Sequence, residues 1–165
     1  MSLAQTLDVP IEGLVQEVLE TACDYKLTLA TAESCTGGLL ASVLTDVKGM
    51  SHAFERGFVT YTNEAKAELL GVAMDLIERN GAVSEPVARA MAEGAIENSK
   101  ADIAVAITGF ADASAEGPGG LVYLAAARRG RSTQVIRKDY GDVGRERVRE
   151  QAVASGLELF RSQIV

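Results

Sequence analysis

Histidine and cysteine are nearly missing from this sequence: His52 is its one histidine, and Cys23 and Cys35 are its only cysteines. Two isolated cysteines make no disulfide framework, and with a single histidine they make no recognisable zinc site, so both read as free thiols. The lone histidine, in a loop with no second signal beside it, reads as a surface residue and gives a Ser-His-Asp arrangement little support. Long apolar runs are missing as well. Nothing approaches the ~18 residues a membrane span needs, and Met1 to Asp8 lacks the basic start and apolar core of a signal peptide. The expectation is a cytoplasmic protein with no membrane contact. Positive charge is in deficit, 16 Lys and Arg against 23 Asp and Glu for a net charge of −7, which argues against a nucleic-acid partner because its phosphates would be repelled. A small anionic ligand stays compatible with this balance, since a local nest of N–H groups can override a global field.

What is present is an apolar fraction of 47% with 24% charged residues, the balance of a globular domain. A chain of 165 residues fits one domain spanning 1–165 with no linker. A first helix starts at Val9-Pro10, with Ile11, Leu14, Val15, Val18, Leu19 and Ala22 on one face. Leu27 to Ala32 reads as a buried strand, Leu39 to Val47 as a helix capped near Gly49, and Phe54 to Thr62 as a second strand. Asn63 caps a short helix, Glu64 to Leu70; Met74 to Arg79 is loosely helical. Ser84-Glu85-Pro86 opens a longer helix whose small residues, Val87 to Ile96, suit close packing and are compatible with a homodimer. Asp102 to Thr108 is a strand whose apolar run suits cover on both faces. Phe110 to Gly120 is a loop, Leu121 to Ala127 and Gln134 to Asp139 form a hairpin around Arg128-Arg129-Gly130-Arg131, and a helix runs from about Gly144 to Arg161. Five strands interleaved with helices, two of them in a direct hairpin, predict a three-layer α/β/α sandwich with a mixed five-stranded sheet.

The stretch Thr31-Ala32-Glu33-Ser34-Cys35-Thr36-Gly37-Gly38 is a polar turn from strand to helix, where helical N–H groups lack partners and attract phosphates, carboxylates or oxyanions. Ser34 reads as a helix N-cap or, given a base, as a nucleophile. Lys66 is a candidate base, because a cation in the first helical turn faces the unfavourable end of the dipole and its pKa is pushed down. Tyr61 ends the strand leading into it and could position or relay a proton; the alternative is a solvated lysine and a half-buried tyrosine. Cys35 is a rival nucleophile, since a helix N-terminus lowers a thiol's pKa, or a small packing residue. Thr108-Gly109 lies at the carboxyl end of a strand, where open α/β sheets bind ligands, so Thr108 could donate a hydrogen bond to substrate. Of Arg145, Arg147 and Arg149, one could reach an anion, whereas Arg128, Arg129 and Arg131 read as a solvated hairpin tip.

Together Ala32-Glu33-Ser34-Cys35-Thr36-Gly37-Gly38, Tyr61-Thr62-Asn63-Glu64-Ala65-Lys66, Ala82-Val83-Ser84-Glu85 and Ile107-Thr108-Gly109 resemble the CinA C-terminal domain family in order and spacing, over nearly the whole chain. The resemblance implies a stand-alone member, lacking the N-terminal domain of fused CinA proteins and its pyrophosphatase activity. It implies a nicotinamide-nucleotide amidase of pyridine-nucleotide salvage, converting nicotinamide mononucleotide to nicotinate mononucleotide and ammonia, with no metal or organic cofactor. By motif match Ser34 is the nucleophile, Lys66 the base and Tyr61 its neighbour. Thr36, Gly37, Gly38, Thr108, Gly109 and Arg145 contact substrate, the turn glycines serving either the phosphate or an oxyanion. The sequence departs from the family at Gly141-Asp142-Val143-Gly144-Arg145, which carries an apparent two-residue insertion. It departs again at Phe110 to Gly120, where a shorter, more acidic loop replaces a glycine-rich loop and a Lys-Pro-Val-Gly run. The alternative these departures raise is a nucleotide-binding module without turnover.

Overall fold

A computed structural model describes residues 1–165. Its elements run α1 (Glu12–Asp24), β1 (Leu29–Glu33), α2 (Leu39–Thr45), β2 (Phe54–Val59), α3 (Asn63–Leu70), α4 (Met74–Asn80), α5 (Glu85–Glu97), β3 (Ile103–Gly109), β4 (Leu121–Arg128), β5 (Gln134–Asp139) and α6 (Arg145–Ile164). The five strands form one sheet in the order β2-β1-β3-β4-β5. β1 pairs in parallel with both β2 and β3, while β3-β4 and β4-β5 are antiparallel. The expected mixed three-layer sandwich is observed.

The chain leaves β1 through α2 to reach β2 on one side, then returns through α3, α4 and α5 to β3 on the other. The carboxyl ends of β1 and β3 therefore diverge around a crevice, the place where open α/β sheets bind ligands.

Alternation along the strands sorts residues by size. One face carries Leu29, Ile103, Val105, Ile107, Val122 and Leu124 and packs on α1, α2 and α6. The other carries Ala30, Ala32, Ala104, Ala106, Ala125 and Ala127 and packs on Val87, Ala88, Met91, Ala92 and Ala95 of α5. Small residues on both partners let α5 approach the sheet closely. Those α5 residues are fully buried within the chain, so they are not available to a homodimer surface.

Gly94, on the same helix, abuts α3: a Cβ there would lie 2.0 Å from the Leu70 carbonyl oxygen. Gly94→Ala is expected to destabilise the fold by about 3 kcal/mol in urea titration, because overpacking against backbone outweighs the ~1 kcal/mol by which alanine favours a helix. Unchanged or raised stability would show that α5 can move away from α3.

Several boundaries differ from the sequence expectation. Pro10 precedes α1, whose N-cap is Ile11, and α2 ends at Thr45, before Gly49 is reached. β2 stops at Val59. Thr62, not Asn63, caps α3, its hydroxyl accepting from Ala65 N–H at 3.1 Å. The hairpin arginines are not a solvated tip alone. Arg129 donates to the carbonyls of Ile96 in the last turn of α5 and of Ser99 and Ala101 just beyond it, and Arg128 to those of Gln163 and Ile164 at the end of α6. A guanidinium satisfies helix-terminal carbonyls that have no partner inside the helix.

Candidate active site

The carboxyl ends of β1, β2 and β3 border a cavity of about 620 Å³, lined among others by Ser34, Tyr61, Lys66, Thr108 and Arg145. A volume of that size holds a small molecule. Ser34 follows the last residue of β1, and its N–H donates to the Ile107 carbonyl across the sheet edge at 3.0 Å. This bond fixes the backbone from which the hydroxyl projects.

Lys66 enters from α3 with only 1% of its surface exposed. Its Nζ lies 3.1 Å from Ser34 Oγ, 2.9 Å from the Thr60 carbonyl and 3.4 Å from the Tyr61 carbonyl. Burial pushes the amine below the ordinary lysine value, because a charged group loses solvation inside the protein. The direction agrees with the sequence expectation, but desolvation, not the helix dipole, is the cause. A neutral amine has two N–H donors and one lone pair. With the protons on the two carbonyls, the lone pair is left for the Ser34 hydroxyl.

Cys35 does not meet the conditions of a reactive thiol. It is buried, and desolvation, its largest influence, pushes its pKa up to about 12. α2 does not offset this, because its amino terminus is already occupied. The buried carboxylate of Glu33 accepts from Gly38 N–H at 3.2 Å, Leu40 N–H at 3.0 Å and Ala41 N–H at 2.9 Å. Gly37 N–H donates to the Ser34 carbonyl. At Gly37 and Gly38 the expected anion site is thus filled from within the chain, and neither they nor Thr36 line the cavity. Gly38, left-handed at φ 95, serves instead to turn the chain into α2. Of the amides in this turn, those of Cys35 and Thr36 make no hydrogen bond within the chain.

Tyr61 borders the cavity but is 63% exposed. β2 has ended two residues earlier, so the phenol lies at the mouth, and it is the Tyr61 carbonyl that meets Lys66. Arg145, the first residue of α6, also reaches the mouth. Its guanidinium is held above its ordinary value first by the Tyr61 phenol and then by Asp112, to which it forms a 2.6 Å ion pair. Arg149 instead donates to the Thr36 carbonyl at 3.0 Å, and Arg147 faces Glu150 at 3.9 Å. Thr108 is buried and its hydroxyl donates to the Ala82 carbonyl at 2.9 Å. Its proton is therefore committed, and the oxygen offers the cavity lone pairs where donation was expected. Gly109 lines the cavity beside it. His52 lies outside this site, on the surface, with Nε2 3.3 Å from Cys23 Sγ.

Two contributors escaped the sequence reading. Glu33 was legible as a carboxylate just ahead of a helix, an arrangement that satisfies N-terminal amides. The Thr60 carbonyl, a backbone acceptor, leaves no side-chain signal at all.

Comparison with known proteins matches residues 11–164 to the model of the CinA C-terminal domain. The nicotinamide-nucleotide amidohydrolase PncC of Escherichia coli K12 is 46% identical over 141 residues, covering 84% of this chain and 85% of that protein. A CinA-like protein from Akkermansia muciniphila is 48% identical over 145 residues, 84% of this chain and 35% of its own length. The chain spans about a third of the length of such longer curated relatives. The crystal structure of the competence/damage inducible protein CihA from Agrobacterium tumefaciens superposes with a TM-score of 0.92 at 42% identity, covering 98% of both chains.

Proposed function

The chain belongs to the CinA C-terminal domain family, and from that premise we propose that it hydrolyses the carboxamide of nicotinamide mononucleotide to nicotinate mononucleotide and ammonia. Ser34 is the nucleophile and Lys66 its base. The observation that carries the reading is the 3.1 Å approach of a buried amine to the Ser34 hydroxyl at a cavity wall. The name of the Escherichia coli relative, similar over most of both chains, supports the substrate.

Lys66 takes the Ser34 proton as Oγ attacks the carboxamide carbon, and the tetrahedral oxyanion forms. The Cys35 amide, one residue past the nucleophile, at the cavity wall and without a backbone partner, is the donor available to it. Lys66, now an ammonium, returns the proton to the departing nitrogen. The C–N bond breaks, ammonia leaves, and an ester joins Ser34 to the acyl group. Water, deprotonated by the same amine, attacks that ester, giving the carboxylic acid and restoring the serine.

Thr108 Oγ1, its proton held by Ala82, accepts a hydrogen bond from the carboxamide N–H₂ and has none to offer a product carboxylate. The site thereby binds the amide and disfavours the acid. Incubating the purified protein with nicotinamide mononucleotide is expected to release nicotinate mononucleotide and ammonia in equal amounts, read by chromatography and a coupled ammonia assay. Folded protein that yields neither product excludes the reading.

A further inference from the structure

This inference rests on the amidohydrolase reading and concerns what aims the oxyanion donor. Three arginines crowd the first turns of α6. Arg145 pairs with Asp112 and Arg147 faces Glu150, but Arg149, half-buried, pairs with no carboxylate. An unpaired cation withdrawn from water is costly. The one hydrogen bond of its side chain goes to a backbone carbonyl, that of Thr36, at 3.0 Å. A Cβ built on Gly37 would lie 3.7 Å from Arg149 Nη2, so the guanidinium rests on the turn behind the nucleophile.

The peptide groups of that turn are joined in series. The Thr36 carbonyl and the Gly37 N–H belong to one planar trans peptide. Gly37 N–H donates to the Ser34 carbonyl at 3.1 Å. That carbonyl shares its peptide with the N–H of Cys35, at the cavity wall. Two peptides in series therefore run from the guanidinium to the oxyanion donor. In a trans peptide the N–H points away from the carbonyl, so tying the Ser34 carbonyl to Gly37 aims the Cys35 N–H the opposite way, and each bond polarises the next. Charge acts in the same sense. The fully buried carboxylate of Glu33 adjoins Ser34 and opposes new negative charge there. At the Cys35 thiol, raised first by burial, Glu33 pushes the pKa further up and Arg149 pulls it back.

We propose that Arg149 is a positioning residue for the reaction: through the Thr36-Gly37 and Ser34-Cys35 peptides it orients and polarises the Cys35 amide that receives the oxyanion. Arg149 does not line the cavity, so its contribution falls on the transition state and leaves substrate binding alone.

The test uses the purified protein with nicotinamide mononucleotide and with 3-formylpyridine mononucleotide, whose aldehyde carbon takes Ser34 Oγ to form a hemiacetal with its oxygen in the oxyanion position. Arg149→Met is expected to lower kcat about 20-fold with KM within about twofold, less than the ~10²–10³-fold that follows loss of an oxyanion donor itself. Binding of the aldehyde should weaken by the same factor, while binding of the product, nicotinate mononucleotide, is unchanged; a merely structural role moves Tm without that parallel. Arg149→Lys, which keeps a charged donor, should stay within about fivefold of the wild type. Where Arg149→Met does not melt cooperatively, Arg149→Gln takes its place, with an expected loss of about tenfold and the same parallel. A kcat within twofold of the wild type in the uncharged variant, a loss expressed in KM, or a kcat loss that the aldehyde does not share overturns the inference. Each of these leaves the amidohydrolase reading standing, because the wild type still turns over its substrate. Folded wild-type protein that releases no product overturns that reading, and this inference with it.

Discussion

Ser34→Ala is expected to lower kcat for carboxamide hydrolysis by about 10⁴-fold or more, whereas Cys35→Ala stays within about tenfold of the wild type. Loss of an activated nucleophile removes the covalent route and leaves only residual catalysis from binding and the oxyanion donors. Cys35→Ala keeps the backbone amide on which the oxyanion depends and removes a thiol that burial holds protonated, with its pKa pushed up to about 12. Its cost is a small void, about 1 kcal/mol of stability. Single-turnover measurements on both variants separate the two. A Cys35→Ala protein as dead as Ser34→Ala would move the chemistry to sulfur.

The second large effect is at Lys66. Lys66→Met is expected to lower kcat by about 10³–10⁴-fold, the range general-base catalysis contributes, and to change the pH dependence of folding. In the native state burial holds the amine below its ordinary value of 10.5, while the unfolded chain titrates near 10.4. Between the lowered native pKa and the unfolded one, the unfolded state binds the extra proton. Wild-type stability therefore rises with pH across that window and is flat, at its penalised level, below it. Methionine has no proton to bind, so the difference in Tm between variant and wild type should shrink as pH climbs toward 10.5. Parallel Tm profiles would mean the amine is not desolvated in the native state. The kinetic counterpart is an acid limb in kcat/KM that rises as Lys66 loses its proton, placed below the ordinary lysine range.

The layered architecture was readable because its signals are local. The run Ile103-Ala104-Val105-Ala106-Ile107 announces a strand buried on both faces, and the arginine-tipped segment after Leu121 announces a hairpin. The pairing of Ser34 with Lys66, 32 positions apart in sequence, was reached through motif resemblance and a dipole argument. That argument gave the right direction for the amine by the wrong cause, because burial is a property of the packed chain and has no local signature.

What the sequence leaves hidden clusters where a side chain's role depends on its neighbours' backbones. Tyr61 adjoins the lysine motif in sequence, but β2 ends at Val59, the phenol sits beside Arg145 at the exposed mouth of the cavity, and it is the Tyr61 carbonyl that meets Lys66. Gly37 and Gly38 read as an anion cradle because nothing in the spacing reveals that the Ser34 carbonyl and the Glu33 carboxylate already take their amides. The hydroxyl of Thr108 was assigned a donor role; its proton goes to Ala82, a contact across 26 positions.

The size-sorting of the two sheet faces also bears on which sequence changes this protein can absorb over time. Leucine, isoleucine and valine side chains beneath α1 and α6 can trade volume among themselves by changing rotamers. The alanines beneath α5 have no rotamer to change: any added methylene must displace a whole helix that Leu70 already holds at Gly94. Variation is therefore expected to accumulate on one side of the sheet and to be purged from the other. Saturation mutagenesis scored by abundance should divide the core residues of β3 by parity, tolerant at Ile103, Val105 and Ile107 and intolerant at Ala104 and Ala106.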